Sequence, residues 1–280
     1  LAQTQRDETK ESSALALRER SLALAQEIVA KYPDFHQRAQ ALFFSGYALA
    51  SLGRIKASVE TLTRYVNLYP KDAHVPDAYR ILADLRFDEN DFVGAETLYR
   101  QILAFPDSQI ISYALYKLGW CAYNRKDFAR ALLGLEKAVV STHRNARESR
   151  QLSLQREARR DLITLYAEIG DHRKAEAYFG RFLEEEPRLW LSQLAAELDR
   201  IGQYEKSGDI YFQLITADPA APENVAYQTA IVRGNHQLRK WPAVIDSART
   251  LVEHYRARLG GANLDDAVAL GAEQVLREAV

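Results

Sequence analysis

Methionine is absent from this chain, cysteine occurs once, and no apolar run approaches the ~20 residues needed to span a bilayer. Each absence removes a class of protein. A lone Cys121 excludes an intrachain disulfide; in mid-helix it reads as a small buried hydrophobe rather than a reactive thiol, and it says nothing of the redox compartment. No stretch of the sequence reads as a transmembrane helix. With no methionine at position 1 and LAQTQRDETKESS leading towards a helix, the chain reads as a processed protein or a fragment, so that any export signal or lipid-attachment cysteine would lie upstream. Net charge is nearly absent too: 37 basic against 38 acidic residues leave −1, which removes the bulk attraction that nucleic acid or an acidic membrane surface would need.

The motifs of chemistry are also missing. There is no GxxxxGK[ST], GxGxxG, GxSxG or HExxH, and the six histidines are scattered without metal-ligand spacing. The acidic run DLRFDEND at 84–91 lacks the spacing of a calcium loop, and Asp84 and Asp88 read as polar groove residues rather than a catalytic carboxylate pair. The expectation is a protein without catalytic residues, metal or cofactor.

What is present is repetition. With 280 residues, 47% hydrophobic and 27% charged, the chain can bury a large core, as one elongated domain or two compact ones. A polar or Gly turn is followed by a large residue at Ile55, Phe92, Phe128, His172, Tyr204 and Trp241, and three residues later by a small or short one at Ser58, Ala95, Ala131, Ala175, Ser207 and Val244. Pro70, Pro106, Pro187 and Pro219 close several of the units. The turns recur every 32 to 44 residues, which is the period of a helix-turn-helix unit. Upstream of each turn a second amphipathic segment carries Gly46, Ala83, Gly119, Ile163, Ala195 or Val232 at one offset, where small side chains let paired helices approach closely.

This pattern resembles the tetratricopeptide repeat family, W-x2-L-G-x2-Y…A-x3-F…P, and LYKLGWCAYNRKDFARALLGLEKAV matches it most fully. The early Trp of the pattern is absent throughout, and the unit that turns at Phe128, fourth when the partial unit is counted, lacks its proline. The expected fold is all-α, a right-handed solenoid of helix-turn-helix repeats: residues 1–36 a partial unit keeping its second helix and Pro33, 37–256 six full units, and 257–280 a capping helix after Gly-Gly. In style the units are most like tetratricopeptide proteins of the bacterial cell envelope. That likeness implies a periplasmic or outer-membrane-associated adaptor in a multiprotein assembly, touching membrane only indirectly or through an upstream anchor, with a cytoplasmic assembly factor as the alternative.

Function is expected on the concave face, where each first helix has a side left over after packing. On the helix read over residues 113–123 that side carries Tyr113, Tyr116, Trp120 and Tyr123. Corresponding offsets add Phe43 and Tyr47, then Arg80, Asp84 and Phe87, with Asn124 and Arg160 at the edge. Two readings stand: a groove that receives a protein or peptide partner through Tyr, Trp and Arg anchors, or aromatics covered by adjacent units as inter-repeat core. The number of aromatics on one face favours the groove, and a glycan-binding strip is the alternative use of the same rings. The 44-residue spacing before His172 adds about seven residues in a segment rich in arginine, Arg144, Arg147, Arg150, Arg156 and Arg159. This is either an extended helix with a solvated basic flank or a docking patch for an acidic partner or phosphate-bearing ligand.

Overall fold

The computed structural model describes residues 2–144, 149–182, 187–259, 274, 275 and 277, and its side chains from residue 14 onwards except at 143–151 and 254–259. The chain divides into two compact units, Leu1–Ala158 and Arg159–Val280. Among the described residues every regular element is helical.

The first unit holds α1 (Ala2–Lys31), α2 (Arg38–Ser51), α3 (Ile55–Leu68), α4 (Val75–Asp88), α5 (Phe92–Ile102), α6 (Ile111–Asn124) and α7 (Phe128–Arg144), each packed on its sequence neighbour. The expected pairs are α2–α3, α4–α5 and α6–α7. Their turns share one device: a residue in the left-handed region two positions before the second helix, Gly53 at φ 71°, Asn90 at φ 62° and Lys126 at φ 61°. Asp91 then caps α5, its carboxylate accepting from the Gly94 amide at 2.9 Å.

Small residues set how closely the helices of a pair approach. Ser58 of α3 donates its hydroxyl to the Gly46 carbonyl of α2 at 2.8 Å, and a Cβ on Gly46 would lie 2.5 Å from Leu62. In α6–α7 two glycines meet: a Cβ on Gly134 would lie 2.6 Å from the Gly119 Cα. Gly119 is legible in the sequence as a close-approach residue; Gly134, which is its partner, is not part of the repeat pattern.

Helix α8 (Ser149–Ile169) spans the boundary between the units. It has 21 residues where α2, α4 and α6 have 14, so the additional residues of the long repeat lengthen its first helix. The second unit continues with a 3-10 turn at 172–174, then α9 (Ala175–Phe179), α10 (Pro187–Arg200), α11 (Tyr204–Ala217), α12 (Asn224–Gln237) and α13 (Trp241–Leu259). Gly202 at φ 77° and Arg239 at φ 56° repeat the left-handed turn. The second helix expected after His172 is broken instead, into the 3-10 turn and five residues ending before Gly180, whose low helix propensity favours a stop there. Pro187 opens α10 rather than closing the helix before it, a position where its missing amide costs nothing. The proposed capping helix lies largely outside the described residues; Val275 is buried against Val225, Val232, Val244 and Leu251.

Candidate functional site

The residues expected to line one groove sort into four environments in the first unit, with Arg160 apart from them in the second. Phe43 is a correction: it is core, 5% exposed, its ring 5.5 Å from that of Tyr65 and 4.9 Å from that of His74. One residue turns a helix by about 100°, and the outward face of α2 runs through Gln40, Phe44, Tyr47 and Ser51 instead. Tyr47, half exposed, therefore lines a trough between α1 and α2.

Arg80, Asp84 and Tyr113 form a second environment, in which Asp84 is saturated by its neighbours. Its carboxylate accepts the Tyr99 hydroxyl at 2.6 Å, the Tyr113 hydroxyl at 2.9 Å and the Arg80 guanidinium at 2.9 Å. Arg80 also reaches Asp77 at 4.0 Å. One carboxylate thus ties α4, α5 and α6 together. Burial first, and then the Asp84 charge, push the Tyr99 and Tyr113 phenols well above the ordinary tyrosine range, because ionising either would place a second negative charge beside the first in a site poor in water. This network belongs to the packing between repeats. Sequence reasoning places Asp84 in the groove and misses Tyr99, which sits at a bulky position of a second helix and gives no polar signal.

Phe87 is half-buried, edge-on to Phe92 at 5.3 Å and covered by the Lys117 ammonium at 4.1 Å from its ring centroid. Next to it, Glu96 accepts from both Arg100 and Arg125. Cys121 is fully buried, and its thiol is pushed up to about 12 by burial and then by the Glu96 charge.

The fourth environment is the outward row on α6. Tyr116, Trp120 and Tyr123 are each partly exposed and stand edge-to-face, Tyr116 to Trp120 at 6.3 Å and 77°, Trp120 to Tyr123 at 5.3 Å and 73°. Tyr123 continues to Phe128 of α7 at 5.8 Å, and Phe128 is 37% exposed. Asn124 is exposed, its amide donating to the Trp120 carbonyl at 2.8 Å. Of the four α6 aromatics, Tyr113 turns inward to Asp84 and the other three form this surface.

Arg160 belongs to the second unit, where it is exposed beside Asp161 at 3.4 Å. In the arginine-rich segment, Arg144, Arg147 and Arg150 lie outside the described side chains. Arg156 is exposed, its Nε donating to the Leu152 carbonyl at 3.4 Å. Arg159 is a correction: its guanidinium lies 4.0 Å from the centroid of the buried Trp190, so it packs within the second unit instead of facing solvent as part of a basic flank. His172 fills its turn position and meets the Asp209 carboxylate at 3.0 Å. Among the described residues no group of three or more His, Cys, Asp or Glu is placed to hold a metal ion, and no helix is long and apolar enough to cross a membrane.

Residues 39–72 and 113–140 each match a family profile for the tetratricopeptide repeat. The search of curated proteins gave no match. Solved structures similar to this chain include YrrB, described as a TPR protein with an unusual peptide-binding site, at TM-score 0.44 and 16% identity over 70% of this chain and 94% of that one. The TPR2AB domain of yeast Sti1 with pHSP90 aligns at TM-score 0.36 and 13% identity, over 86% of this chain and 98% of that one. PilF of Pseudomonas aeruginosa aligns at TM-score 0.39 and 16% identity, over 86% and 97%. With two separate units matched, this chain carries tetratricopeptide repeats, and helix pairs continue along the described residues.

Proposed function

We propose that this protein is a non-enzymatic interaction scaffold that binds a polypeptide segment across the outward face of α6. The observation that carries the reading is the row Tyr116, Trp120, Tyr123 and Phe128, aromatics left on the surface after Tyr113 has been drawn into the Asp84 network. Tyr and Trp bury much area at small entropic cost and keep a polar tip. The near-perpendicular rings form notches that suit apolar side chains of a peptide. A flat platform for stacked sugars would need them closer to coplanar, which weighs against the glycan alternative.

The style of the repeats supports a setting in a bacterial envelope assembly, periplasmic or outer-membrane-associated, with outer-membrane biogenesis, motility, secretion or division as the candidate machines. Partners are then proteins of that assembly.

The test is affinity capture from the native organism with wild type and Tyr116→Ala/Trp120→Ala in parallel, after confirming that both unfold at the same temperature. Loss of a central aromatic is expected to weaken binding by about 2 kcal/mol, or about thirtyfold. A protein retained by wild type and lost by the stable variant supports the reading and names the assembly. Equal retention refutes it for this face, and Trp120 fluorescence quenched by wall-glycan oligomers would favour the carbohydrate alternative.

A further inference from the structure

Helix α1 repeats the second helix of a hairpin but, among the described residues, no first helix lies beside it, and the repeat register shows what its open side is shaped for. Tyr32-Pro33 ends α1 as Tyr69-Pro70 ends α3, so Ser21, Ala25 and Ile28 stand where α3 has Ser58, Leu62 and Tyr65. Those three α3 residues grip α2: Ser58 bonds the Gly46 carbonyl, Leu62 abuts Gly46 and Tyr65 packs on Phe43. The neighbouring face agrees. Phe44 of α2 stands where α4 has Ile81, which is 6% exposed in one core cluster with Leu42 and Phe43 of α2, whereas Phe44 is 46% exposed. The two faces that in α3 and α4 enclose a helix instead form, in α1 and α2, an open trough of about 680 Å³. Its rims carry Leu24, 55% exposed, and Tyr47, 50% exposed.

Among the described residues the chain does not turn back to fill it. Gly53, Asn90, Lys126, Gly202 and Arg239 adopt the left-handed conformation two residues before their second helices. Ala16 holds that register position in α1, a residue to which the left-handed region is costly, and the helix runs unbroken through it from Ala2. Where a hairpin would return the chain, a straight rod carries it about 22 Å onward from Leu17.

We propose that the α1–α2 trough is a second binding site, independent of the α6 face, which takes an amphipathic helix of about four turns from a different protein. That helix completes the first hairpin in trans. It carries a Gly or Ala opposite Ser21, as Gly46 lies opposite Ser58. Its polar edge is acidic, because Arg18 is the charged residue of the trough lining and no carboxylate accompanies it there.

A fluorescein-labelled synthetic peptide of residues 73–90, which contains the α4 helix with Ala83 at the close-approach position and acidic residues at 77, 84, 88 and 89, is the probe. Titrated into the full chain, it is expected to bind saturably and to slow amide exchange in residues 17–28. Ala83→Leu in the peptide, or Leu24→Glu/Phe44→Glu in the protein, is expected to weaken binding at least about tenfold, since both act where helices must touch. Tyr116→Ala/Trp120→Ala is expected to leave it unchanged, which separates this site from the α6 face. Leu17→Glu, at a rim position 66% exposed, repeats the test should the double variant unfold early. Absence of binding, or binding indifferent to the trough substitutions, overturns the proposal. So does sedimentation of the chain alone as a dimer that the trough substitutions dissociate, since the occupant is then a second copy.

Discussion

Asp84 shows how one side chain decides the character of a repeat interface. It is 24% exposed, yet three donors from three helices converge on it, including the hydroxyl of the fully buried Tyr99. Asp84→Ala would strand two hydroxyls and leave Arg80 with a single, longer ion pair; at ~1–3 kcal/mol for a stranded buried group, a loss of roughly 2–4 kcal/mol is expected in urea unfolding. Removing the Tyr99 hydroxyl as well should recover part of that loss, so Asp84→Ala/Tyr99→Phe is expected to cost less than the sum of its parts, by about 1 kcal/mol or more. Strict additivity would show that the network is incidental. Cys121 gives a second test at this scale. Fully buried, with its thiol pushed up to about 12, it should ignore a disulfide reagent in the native protein and react stoichiometrically once unfolded. Rapid native labelling would contradict that burial.

At the scale of the element, backbone contact and turn geometry make opposite demands. The α6–α7 pair is set by Gly119 against Gly134, and a Cβ at Gly134 would meet the Gly119 Cα at 2.6 Å and its N at 2.7 Å. Backbone cannot swing aside as a side chain can. Gly134→Ala, although it favours helix, is therefore expected to lower stability by roughly 1–3 kcal/mol. At the turn before α7 the opposite holds: Lys126, at φ 61°, carries a side chain where only glycine is at ease, so Lys126→Gly is expected to stabilise by about 1 kcal/mol. A thermal melt of each variant decides, and a more stable Gly134→Ala would mean that the helices are further apart than described.

The legible part of this fold follows the same division. Period, turn positions and Gly119 are visible because repetition multiplies a weak local signal into a strong one. Gly134, Tyr99 and the Arg159–Trp190 stack are not, since each depends on which residue of a neighbouring helix lies opposite, and one residue of rotation changes the answer by about 100°. The same uncertainty separates Phe43 from Phe44: adjacent in sequence, one is in the core and the other at the lip of the trough. For the candidate site, the composition of the α6 face is legible, but the withdrawal of Tyr113 from it is not, because its cause is a carboxylate 29 residues away.

Across the whole molecule, burying phenols beside carboxylates sets a limit on alkaline stability. In the first unit Tyr65, Tyr99 and Tyr113 are raised beyond the usual range, by burial first and then by hydrogen bonds to or the charge of Asp72 or Asp84. In the second, burial and then Asp171 raise Tyr166, while burial and then Asp199 push Tyr211 up to about 12. All five are harder to ionise folded than unfolded. The stability this confers on the fold is fully present below about pH 10, the ordinary phenol value, and drains away above it as the unfolded chain releases protons that the folded chain retains. Each such tyrosine removes about 1.4 kcal/mol per pH unit in that window, so several acting together should make alkaline unfolding abrupt. Followed by phenolate absorbance and far-ultraviolet circular dichroism in one titration, the exposed tyrosines should ionise first with the helices intact, and the buried set should ionise only as helicity collapses. Ionisation of all 15 tyrosines near pH 10 with helicity unchanged would show these phenols to be open to water, and with them the α4–α5–α6 interface that Asp84 holds.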